Sequence, residues 1–512
     1  MQKPIAWTIA GSDSGGGAGI QADLHTFQAL GTYGCSVITA VTAQNTFSVT
    51  AIHNVPAENV AAQIAALAED LKPKTIKLGM LGESAEPIVH FLKEYSGSVV
   101  LDPVLISTSA HNLFSDDINQ RIGMILQMLP LVTLVTPNIP EAETILGLTI
   151  NTHADIIKAA QKFLSLGVQS VIIKGGHIKQ DLFAQDYFTD GKEAFWLACY
   201  RDLNGNYHGT GCTFASAITA ALATDYNLYD ALVIAKMYVT EGIYSAKKYG
   251  AGAEPVMHSA WSNEQQQLPF LSQKPLTETV KPFPDCGVNK LGLYPIVDAA
   301  SWLTKLLPCG VTTIQLRVKN KTGTELENEI KAAIEIAKKY SARLFINDYW
   351  ELAIAHGAYG VHLGQEDLRT ADIPRIKNAG LRLGISTHNY YELAIAHALR
   401  PSYIALGPIY PTTSKVMPHA PQGIARLKHW RNMLNYPLVA IGGIGLPQFS
   451  EVSAAGVDGI AMISAITQAE EPIKTTQQML DLIADQQRFF LLPQWDNEKY
   501  AINSNHNMES NP

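Results

Sequence analysis

Short apolar runs alternate with longer Ala- and Leu-rich segments of helical period through most of this chain, which is the pattern of β–α–β units. In the first half the predicted strands are residues 6–10, 75–78, 98–101, 132–135 and 170–173. The alternation stops at residues 262–290, where Pro269, Pro275, Pro282 and Pro284 occur without any hydrophobic period. Prolines spaced in this way indicate a linker between two domains.

The alternation resumes after the linker, where the apolar runs can be counted. They are residues 291–297, 311–316, 343–346, 359–363, 381–385, 402–406, 437–441 and 457–463. Eight such units in about 200 residues predict a closed (β/α)8 barrel rather than an open sheet. The predicted organisation is an α/β domain at 1–262, a linker at 263–289, a barrel at 290–485 and a polar, Asn-rich tail at 486–512 that we expect to be disordered.

Composition and charge restrict the class of protein. The chain has 512 residues, 47% hydrophobic and 16% charged, which provides more than one core and excludes a disordered or fibrous protein. A net charge of −8 argues against nucleic-acid binding. No apolar run approaches the ~18 residues of a membrane span. Five scattered cysteines without a CxxC pair, and an apolar stretch at 5–10 too short for a signal peptide, lead us to expect a cytoplasmic protein.

A glycine-rich segment, GSDSGGGAG at 11–19, lies between a predicted strand and a predicted helix. It matches neither GxGxxG nor the P-loop pattern, because Ile20 and Gly17 occupy the positions of the third Gly and of the Lys. A tight turn that needs positive φ and a turn that binds a ligand both explain it.

A second glycine-rich turn, Gly209-Thr210-Gly211, precedes an Ala-rich helix, where backbone N–H groups suit an anion. Cys212 stands at the same helix start. We expect its thiol pKa to be lowered there, the alternative being a buried structural cysteine.

Asn138 and Glu141 lie three residues apart at another predicted helix start. The pair fits a helix N-cap with an acidic first turn, and it also fits a carboxylate that holds Mg²⁺ through water. Lys174, which ends a predicted strand and precedes two glycines, suits a phosphate group.

In this order the motifs resemble the ribokinase-like superfamily, whose fold is an α/β/α sandwich. Within it, the first half resembles the hydroxymethylpyrimidine/phosphomethylpyrimidine kinases of the vitamin B1 pathway. The resemblance rests on AGSDSGGGAGIQAD at 10–23, TAVTAQNT at 39–46, TPN at 136–138 and GTGC at 209–212. It implies that ATP phosphorylates hydroxymethylpyrimidine, and then the resulting phosphate, with Mg²⁺ as cofactor.

The same resemblance implies roles for individual residues. The implied pyrimidine-binding residues are Gly11, Asp23, Thr42 and Gln44. The implied ATP and anion-hole residues are Asn138, Glu141, Lys174, Gly209, Thr210 and Gly211. Cys212 is implied to be the catalytic base, which requires a depressed thiol pKa.

In the second half, polar residues stand at the carboxyl ends of the predicted strands, where barrel enzymes carry their chemistry. Arg317, Lys319 and Lys415 supply cations, and Asp348 and Asp367 supply two separated carboxylates. Mg-diphosphate needs both kinds of group. Each residue alone also fits a solvated loop, but solvated loops do not explain polar groups at every strand end.

This half resembles thiamine-phosphate synthase over residues 289–485, through QLRVK (315–319), GVHLGQEDL (360–368), GISTH (384–388), ALGPIYPTTSK (405–415) and AIGGI (440–444). The residues implied to bind pyrimidine diphosphate are Gln315, Leu316, Arg317, Val318, Lys319, Asn347, Ser386 and Lys415. Those implied to bind thiazole phosphate are Thr412, Thr413, Ser414, Gly443, Ile463 and Ser464. Asp348 and Asp367 are the implied Mg²⁺ ligands, and the implied reaction is displacement of diphosphate by the thiazole nitrogen.

Two alternatives stay open at this point. One is a pyridoxal-type kinase joined to a thiazole tautomerase-like barrel; Gln44 argues against the first part, and Lys319, Asn347, Asp367 and Lys415 argue against the second. The other is a pyrimidine sensor with an inactive kinase half, because residues 106–111 lack an expected Lys and Gly. The expected partners are hydroxymethylpyrimidine, ATP and thiazole phosphate, without nucleic acid or membrane, and a homo-oligomer is left open.

Overall fold

A computed structural model describes residues 2–83, 85–105, 118–176, 182–202, 205, 207–259, 261, 264–288, 290–412 and 420–491. The chain divides into two compact units, residues 1–285 with 363–404 and 429–436, and residues 286–362 with 405–428 and 437–512. Among the described residues, no helix is both long enough and apolar enough to span a bilayer.

The first unit contains a ten-stranded sheet built from the described residues. Two further strands, β10 and β11, form a separate two-stranded ribbon. In chain order the strands are β1 Ile5–Ser12, β2 Tyr33–Gln44, β3 Val49–Asn54, β4 Thr75–Leu78, β5 Ser98–Leu101, β6 Leu134–Val135, β7 Val171–Lys174, β8 Phe183–Thr189, β9 Ala194–Tyr200, β10 Tyr207–His208, β11 Glu254–Pro255 and β12 Phe270–Ser272. The helices among them are α1 Gly19–Ala29, α2 Ala57–Asp70, α3 Ala85–Glu94, α4 Ile118–Met128, α5 Ile139–Leu146, α6 His153–Ser165, α7 Thr210–Ala223 and α8 Leu228–Tyr244.

Strand order in the sheet is β12-β9-β8-β7-β6-β5-β4-β1-β2-β3. The centre is parallel, from β2 through β1 to β7, and both edges are antiparallel. Central strands such as β4 are buried along their whole length because helices cover both faces. The chain passes from β1 to β2 on one side and later to β4 on the other. The strand order therefore reverses at β1, and ligands of open α/β sheets bind at the carboxyl ends of the strands at such a point.

The segment predicted as a linker contributes to this sheet. Its residues 270–272 form the edge strand β12, which pairs antiparallel with Trp196–Ala198 of β9. A three-residue strand carries too little hydrophobic period to be recognised among prolines, and pairing with β9 creates it. A chain truncated at residue 262 would lose β12 and expose the edge of β9, which favours aggregation.

The barrel is closed by eight parallel strands in sequence order. They are β13 Gly292–Val297, β14 Thr313–Leu316, β15 Arg343–Asn347, β16 Gly360–Leu363, β17 Arg382–Thr387, β18 Tyr403–Leu406, β19 Leu438–Ile441 and β20 Gly459–Met462. The helices are α9 Ser301–Leu306, α10 Gly323–Lys339, α11 Trp350–Ala355, α12 Gln365–Leu368, α13 Ile373–Asn378, α14 Tyr390–Leu399, α15 Gly423–Met433, α16 Leu446–Ala454, α17 Ser464–Thr467 and α18 Pro472–Leu491. Each of the eight predicted apolar runs coincides with one strand, but β15 and β17 continue to Asn347 and Thr387, beyond the predicted ends at residues 346 and 385.

Smaller differences concern boundaries. The run predicted as a strand at 132–135 contains only the two-residue β6, because a 3-10 helix at Leu129–Leu131 precedes it. Helix α18 continues to Leu491, beyond the predicted end of the barrel at 485. The rest of the predicted tail lies outside the described residues.

Candidate active sites

A cavity of about 680 Å³ opens at the carboxyl ends of the central strands of the sheet. Of the residues predicted for the kinase half, those that line it are Gly11, Thr42, Gln44, Asn138, Glu141, Lys174, Gly209, Thr210, Gly211 and Cys212. They come from five separate segments of sequence. The fold therefore brings the three glycine-rich or polar turns into one site.

The glycine-rich turn needs its glycines for geometry. Gly16 and Gly19 have φ of 77° and 58°, and a Cβ on Gly19 would lie 2.5 Å from the carbonyl oxygen of Gly11. Asp13 organises the turn by accepting the backbone N–H groups of Gly15 and Ala18, each at 2.8 Å. Burial alone would raise the pKa of Asp13, but hydrogen bonds from His208 and from these N–H groups hold it below its ordinary value.

The loop before α7 packs directly against this turn and against the end of β7. Gly209 has φ of 84°, and a Cβ there would lie 1.9 Å from the carbonyl oxygen of Gly17. A Cβ on Gly211 would lie 3.0 Å from Lys174 Nζ. Glycine is required at position 209, and the absence of a side chain on Gly211 leaves room for the Lys174 ammonium beside the first N–H groups of α7. This arrangement suits a phosphate group.

Three ionisable side chains, Lys174, Asp102 and Glu141, lie together in the part of the cavity that suits a phosphate group. Lys174 Nζ lies 2.8 Å from Asp102 Oδ1, and both side chains are largely buried. Glu141 forms a reciprocal capping box with Asn138, so the structural interpretation of this pair is confirmed. Burial raises the pKa of Glu141 to about 7, against the lowering effect of Lys174 and with the repulsion of Asp102 added.

The expectation of a lowered thiol pKa at Cys212 is wrong for this structure. Burial raises the pKa of Cys212 to about 11, and the charges of Asp102 and Asp23 add to that increase. Lys77 and the backbone N–H of Gly19 act in the opposite direction but are outweighed. The start of a helix lowers a thiol pKa only where the thiol stays solvated or meets net positive charge.

Asp23, predicted to bind the pyrimidine, does not line the cavity. Its carboxylate is fully buried and accepts from Lys77 Nζ at 2.9 Å, from Ser216 Oγ at 2.6 Å and from Thr8 Oγ1 at 2.5 Å. With its oxygens occupied in this way, Asp23 supports the floor of the site. Lys77, by contrast, lines the cavity.

Sequence reasoning missed Lys77, Asp102, Asp13 and His208 as members of this site. Asp102 directly follows β5, so the rule that strand ends carry the chemistry could have found it. Lys77 lies inside an apolar strand, and only its buried partner Asp23, 54 residues away, explains a lysine there.

We expect Lys77→Met to destabilise the first unit by about 3–5 kcal/mol, because it leaves Asp23 as a buried charge without its partner. The measurement is the denaturant-induced unfolding of the sheet-containing unit. Lys74→Met is the matched control: Lys74 pairs with Asp225 in solvent, with side chains 44% and 83% exposed. Loss of an exposed pair changes stability by about 0–1 kcal/mol. Equal effects of the two variants would contradict the prediction.

In the barrel, most residues predicted to bind diphosphate lie in or directly after the carboxyl ends of β14 and β15, and Ser386 lies near the end of β17. Gln315 is buried inside the barrel, with its amide 3.3 Å from Tyr294 Oη. Lys319 Nζ lies 2.5 Å from Asp348 Oδ2, so this carboxylate already faces a cation. Asp348 has φ of 65°, and strained backbone of this kind is concentrated at functional sites. Leu316 and Val318 are each 1% exposed, which leaves only their backbone groups to reach a ligand.

His362, at the end of β16, was not predicted as a site residue. Its backbone carbonyl accepts the N–H of Asp348 at 3.0 Å. Burial lowers the pKa of His362 to about 4; Arg317 adds to the lowering and Asp348 opposes it. The imidazole is therefore neutral at physiological pH. Its place in GVHLGQEDL was visible in the sequence, but its charge state depends on burial.

The loops after β16 and β17 also meet. Gln365 Nε2 donates to the backbone carbonyl of Ser386 at 2.6 Å, and Asp367 Oδ2 accepts the N–H of Gly364 at 3.3 Å. Asp367 thus has a capping role besides the predicted metal role. Among the described residues, no three His, Cys, Asp or Glu side chains form a metal cluster. A metal held here needs oxygen ligands from a substrate in addition to the two aspartates.

The last strand ends carry the residues predicted to bind thiazole phosphate. Gly443 has φ of 68°, and a Cβ on it would lie 2.4 Å from the carbonyl oxygen of Pro411. This close approach places the turn after β19 beside the segment that leads to Thr412. Ile463 and Ser464 follow β20 directly, with Ser464 as the first residue of α17. The predicted Thr413, Ser414 and Lys415, and the segment 106–111, lie outside the described residues.

These two sites define a phosphate-handling α/β enzyme joined to a barrel enzyme, and comparison with known proteins agrees. Residues 13–257 match the family model described as phosphomethylpyrimidine kinase, and residues 293–466 match thiamine monophosphate synthase. Over 196 residues the chain is 58% identical to a thiamine-phosphate synthase of Yersinia pseudotuberculosis, with 38% of this chain and 91% of that protein covered. A synthase of Serratia proteamaculans is 55% identical over 41% of this chain and 98% of its own length.

Two solved structures are similar to the first half. A phosphomethylpyrimidine kinase from Clostridium difficile is 41% identical, with 47% of this chain and all of that chain covered, at a TM-score of 0.42. A Bacillus subtilis pyridoxal kinase is 34% identical over 51% of this chain and 98% of that chain, at a TM-score of 0.47. The chain belongs to the phosphomethylpyrimidine kinase family in its first half and to the thiamine-phosphate synthase family in its second. It is a bifunctional enzyme of thiamine biosynthesis that uses ATP as co-substrate.

Proposed function

We propose that the first unit phosphorylates hydroxymethylpyrimidine twice, and that the barrel joins the resulting diphosphate to thiazole phosphate to form thiamine phosphate. The observation that carries the kinase proposal is the single cavity that contains Gly11, Thr42 and Gln44 together with the Gly209–Cys212 loop. One group of residues suits a polar ring and the other suits transferred phosphate. Both must face one space for phosphoryl transfer to occur in line.

Phosphoryl transfer depends mainly on positioning and on stabilisation of charge. In the proposed mechanism the N–H groups of the Gly209–Cys212 loop and the Lys174 ammonium stabilise the transferred phosphoryl group. Cys212 accepts the proton of the attacking hydroxyl. Its thiol is mostly protonated at neutral pH, so in this mechanism only a minor deprotonated fraction is active.

The cavity also fits Mg²⁺ brought by ATP. Glu141 and Asp102 supply carboxylate oxygens beside the Lys174 ammonium, and such hard ligands hold Mg²⁺ through water or directly. Bound Mg²⁺ would neutralise phosphate charge there. A bound cation would also favour the ionised form of Glu141, whose pKa is now raised to about 7.

In the barrel we propose that Gln315, Arg317, Lys319, Asn347, Ser386 and Lys415 hold the pyrimidine diphosphate. Asp348 and Asp367 would hold Mg²⁺, which would help diphosphate depart. The Lys319–Asp348 contact supports this placement, because the carboxylate already lies beside a positive charge. Thr412, Thr413, Ser414, Gly443, Ile463 and Ser464 would hold the thiazole phosphate. The thiazole nitrogen attacks the methylene carbon, and the protein chiefly positions the two partners.

We also propose that residues 263–289 link the two catalytic domains in the sequence. Because β12 completes the sheet, the functional kinase unit needs the chain at least as far as residue 272.

One assay of the full-length chain tests the proposal: hydroxymethylpyrimidine, thiazole phosphate and Mg-ATP are supplied without any other enzyme. We expect thiamine phosphate to form. If none forms, synthetic pyrimidine diphosphate is added in place of the pyrimidine and ATP. Product in that case contradicts the kinase proposal alone, and its absence contradicts the synthase proposal.

A further inference from the structure

His208 has no part in the proposed phosphoryl transfer, although it lines the same cavity. It ends β10, directly before the Gly209–Cys212 loop, and its side chain is 14% exposed. Its Nε2 atom lies 3.1 Å from the amide nitrogen of Gln44 and 3.4 Å from Asp13 Oδ2. One ring nitrogen thus contacts both the glycine-rich turn and the residue proposed to recognise the pyrimidine.

The imidazole ring is fixed in position by its surroundings. A Cβ on Gly17 would lie 3.0 Å from His208 Cδ2, so the ring packs against a residue without a side chain. The backbone of His208 pairs with Pro255 in the two-stranded ribbon, and its carbonyl accepts the N–H of Val256 at 3.2 Å. The position of Nε2 relative to Gln44 is therefore set by the fold.

Asp13 favours the tautomer of His208 that carries its hydrogen on Nε2. The carboxylate accepts two backbone N–H groups, and its pKa is held below the ordinary value, so it is ionised at physiological pH. A negative oxygen 3.4 Å from Nε2 stabilises a hydrogen on that nitrogen. His208 accordingly carries one hydrogen on Nε2, which is shared between Asp13 and the closer Gln44 amide.

The hydrogen-bond partners at its two ends determine the orientation of the Gln44 amide. The single hydroxyl hydrogen of Thr42 is donated to the carbonyl oxygen of Ser12 at 2.8 Å. The Thr42 oxygen, 3.4 Å from the other end of the amide, can therefore only accept. A donor at His208 and an acceptor at Thr42 both favour the amide with its oxygen towards His208 and its nitrogen towards Thr42. A half-turn about Cγ–Cδ produces this orientation without any change in shape.

We propose that His208 is a positioning residue that fixes the orientation of the Gln44 amide and thereby makes the site select 4-aminopyrimidines over 4-oxopyrimidines. This inference rests on the proposed function, in which Gln44 faces the pyrimidine. An amino group beside a ring nitrogen presents a donor and then an acceptor, whereas an oxo group beside a ring N–H presents them in the reverse order. An amide locked in one orientation matches only one order, and mismatched polar groups in a closed site are costly.

The test is His208→Phe in the full-length chain, assayed with hydroxymethylpyrimidine and with its 4-oxo analogue. We expect the KM for hydroxymethylpyrimidine to rise about tenfold, the loss of roughly one hydrogen bond. The amino-over-oxo ratio of kcat/KM should fall about tenfold, while kcat for hydroxymethylpyrimidine at saturation changes less than about threefold. His208→Gln, which keeps an N–H donor at similar reach, should restore most of the ratio.

Controls separate this effect from misfolding. His53→Phe changes an exposed histidine of β3 that does not line the cavity. We expect it to change neither the KM for hydroxymethylpyrimidine nor the amino-over-oxo ratio of kcat/KM. The KM for ATP and the unfolding midpoint of each variant report whether the cavity is intact. If His208→Phe fails to fold, His208→Met removes the same donor with a flexible side chain.

Two outcomes overturn different claims. An amino-over-oxo ratio that stays within twofold in a folded donor-free variant overturns the role of His208. Gln44→Leu tests the underlying placement: if it leaves the KM for hydroxymethylpyrimidine unchanged, the pyrimidine does not bind at Gln44 and the proposed function fails at this site. If Gln44→Leu raises KM while the His208 variants keep the ratio, only the present inference fails.

Discussion

Cys212→Ala is expected to reduce phosphorylation of hydroxymethylpyrimidine by about 10²–10⁴-fold, the usual contribution of a general base. Formation of thiamine phosphate from synthetic pyrimidine diphosphate should be unchanged, because Cys212 lies at the start of α7, in the cavity of the first unit. Both rates are measured on the same purified chain. Cys35→Ala, which removes a buried cysteine of β2 outside the cavity, is the matched control and should keep both activities.

The pH dependence distinguishes a catalytic base from a structural thiol. The pKa of Cys212 is raised to about 11, so the fraction of thiolate grows as the pH rises towards that value. If the thiolate is the base, kcat increases about tenfold per pH unit between about pH 8 and pH 10. This range lies above the pKa of about 7 of Glu141, whose titration would otherwise overlap. A flat profile in the unmodified enzyme, or normal phosphorylation by Cys212→Ala, would remove Cys212 from the role of base.

The second large effect is expected from Asp367→Ala, which should lower synthase activity by about 10²–10³-fold and leave the kinase unaffected. The reason is the loss of a carboxylate proposed to hold Mg²⁺ where charge develops on departing diphosphate. The measurement is the rate from synthetic pyrimidine diphosphate over a range of Mg²⁺ concentrations. Glu366→Ala, which removes an exposed neighbouring carboxylate, should have little effect.

Asp367 also accepts the N–H of Gly364, so the alanine variant loses a helix cap as well as a charge. Asp367→Asn keeps an acceptor for that N–H and removes only the charge. We expect the asparagine variant to be nearly as inactive as the alanine variant. An active Asp367→Asn with unchanged Mg²⁺ dependence would mean that Asp367 acts as a cap and not as a metal ligand.

Much of the fold could be predicted because the patterns that specify it span only a few neighbouring residues. Each of the eight barrel strands overlaps a predicted apolar run, since a parallel strand buried on both faces is largely apolar. Only the polar ends of β15 and β17 extend beyond the predicted bounds. Most of the residues proposed for the kinase site could be predicted as well, because glycines with positive φ and residues at strand ends leave short, readable motifs. The edge strand β12 could not be predicted, because its existence depends on pairing with β9.

The charges of the sites were not predictable from the same motifs. The helix start suggested a low thiol pKa for Cys212, but burial and the nearby Asp102 and Asp23 produce a high one. Asp23 belongs to a motif of the kinase family, yet its contacts with Lys77, Ser216 and Thr8 place it beneath the cavity rather than in it. These partners lie up to 193 residues away in sequence.

The sequence by itself determined the two fold types, their order in the chain and the chemistry of most residues at strand ends, because periodicity and turn residues act over a few positions. Only the tertiary structure decided which of those residues share a cavity and which carboxylate forms an ion pair with a buried lysine. It also decided how Asp13, His208 and Thr42 orient Gln44. Burial and hydrogen bonding depend on what surrounds a group in space. The surrounding groups come from distant segments that no local pattern connects.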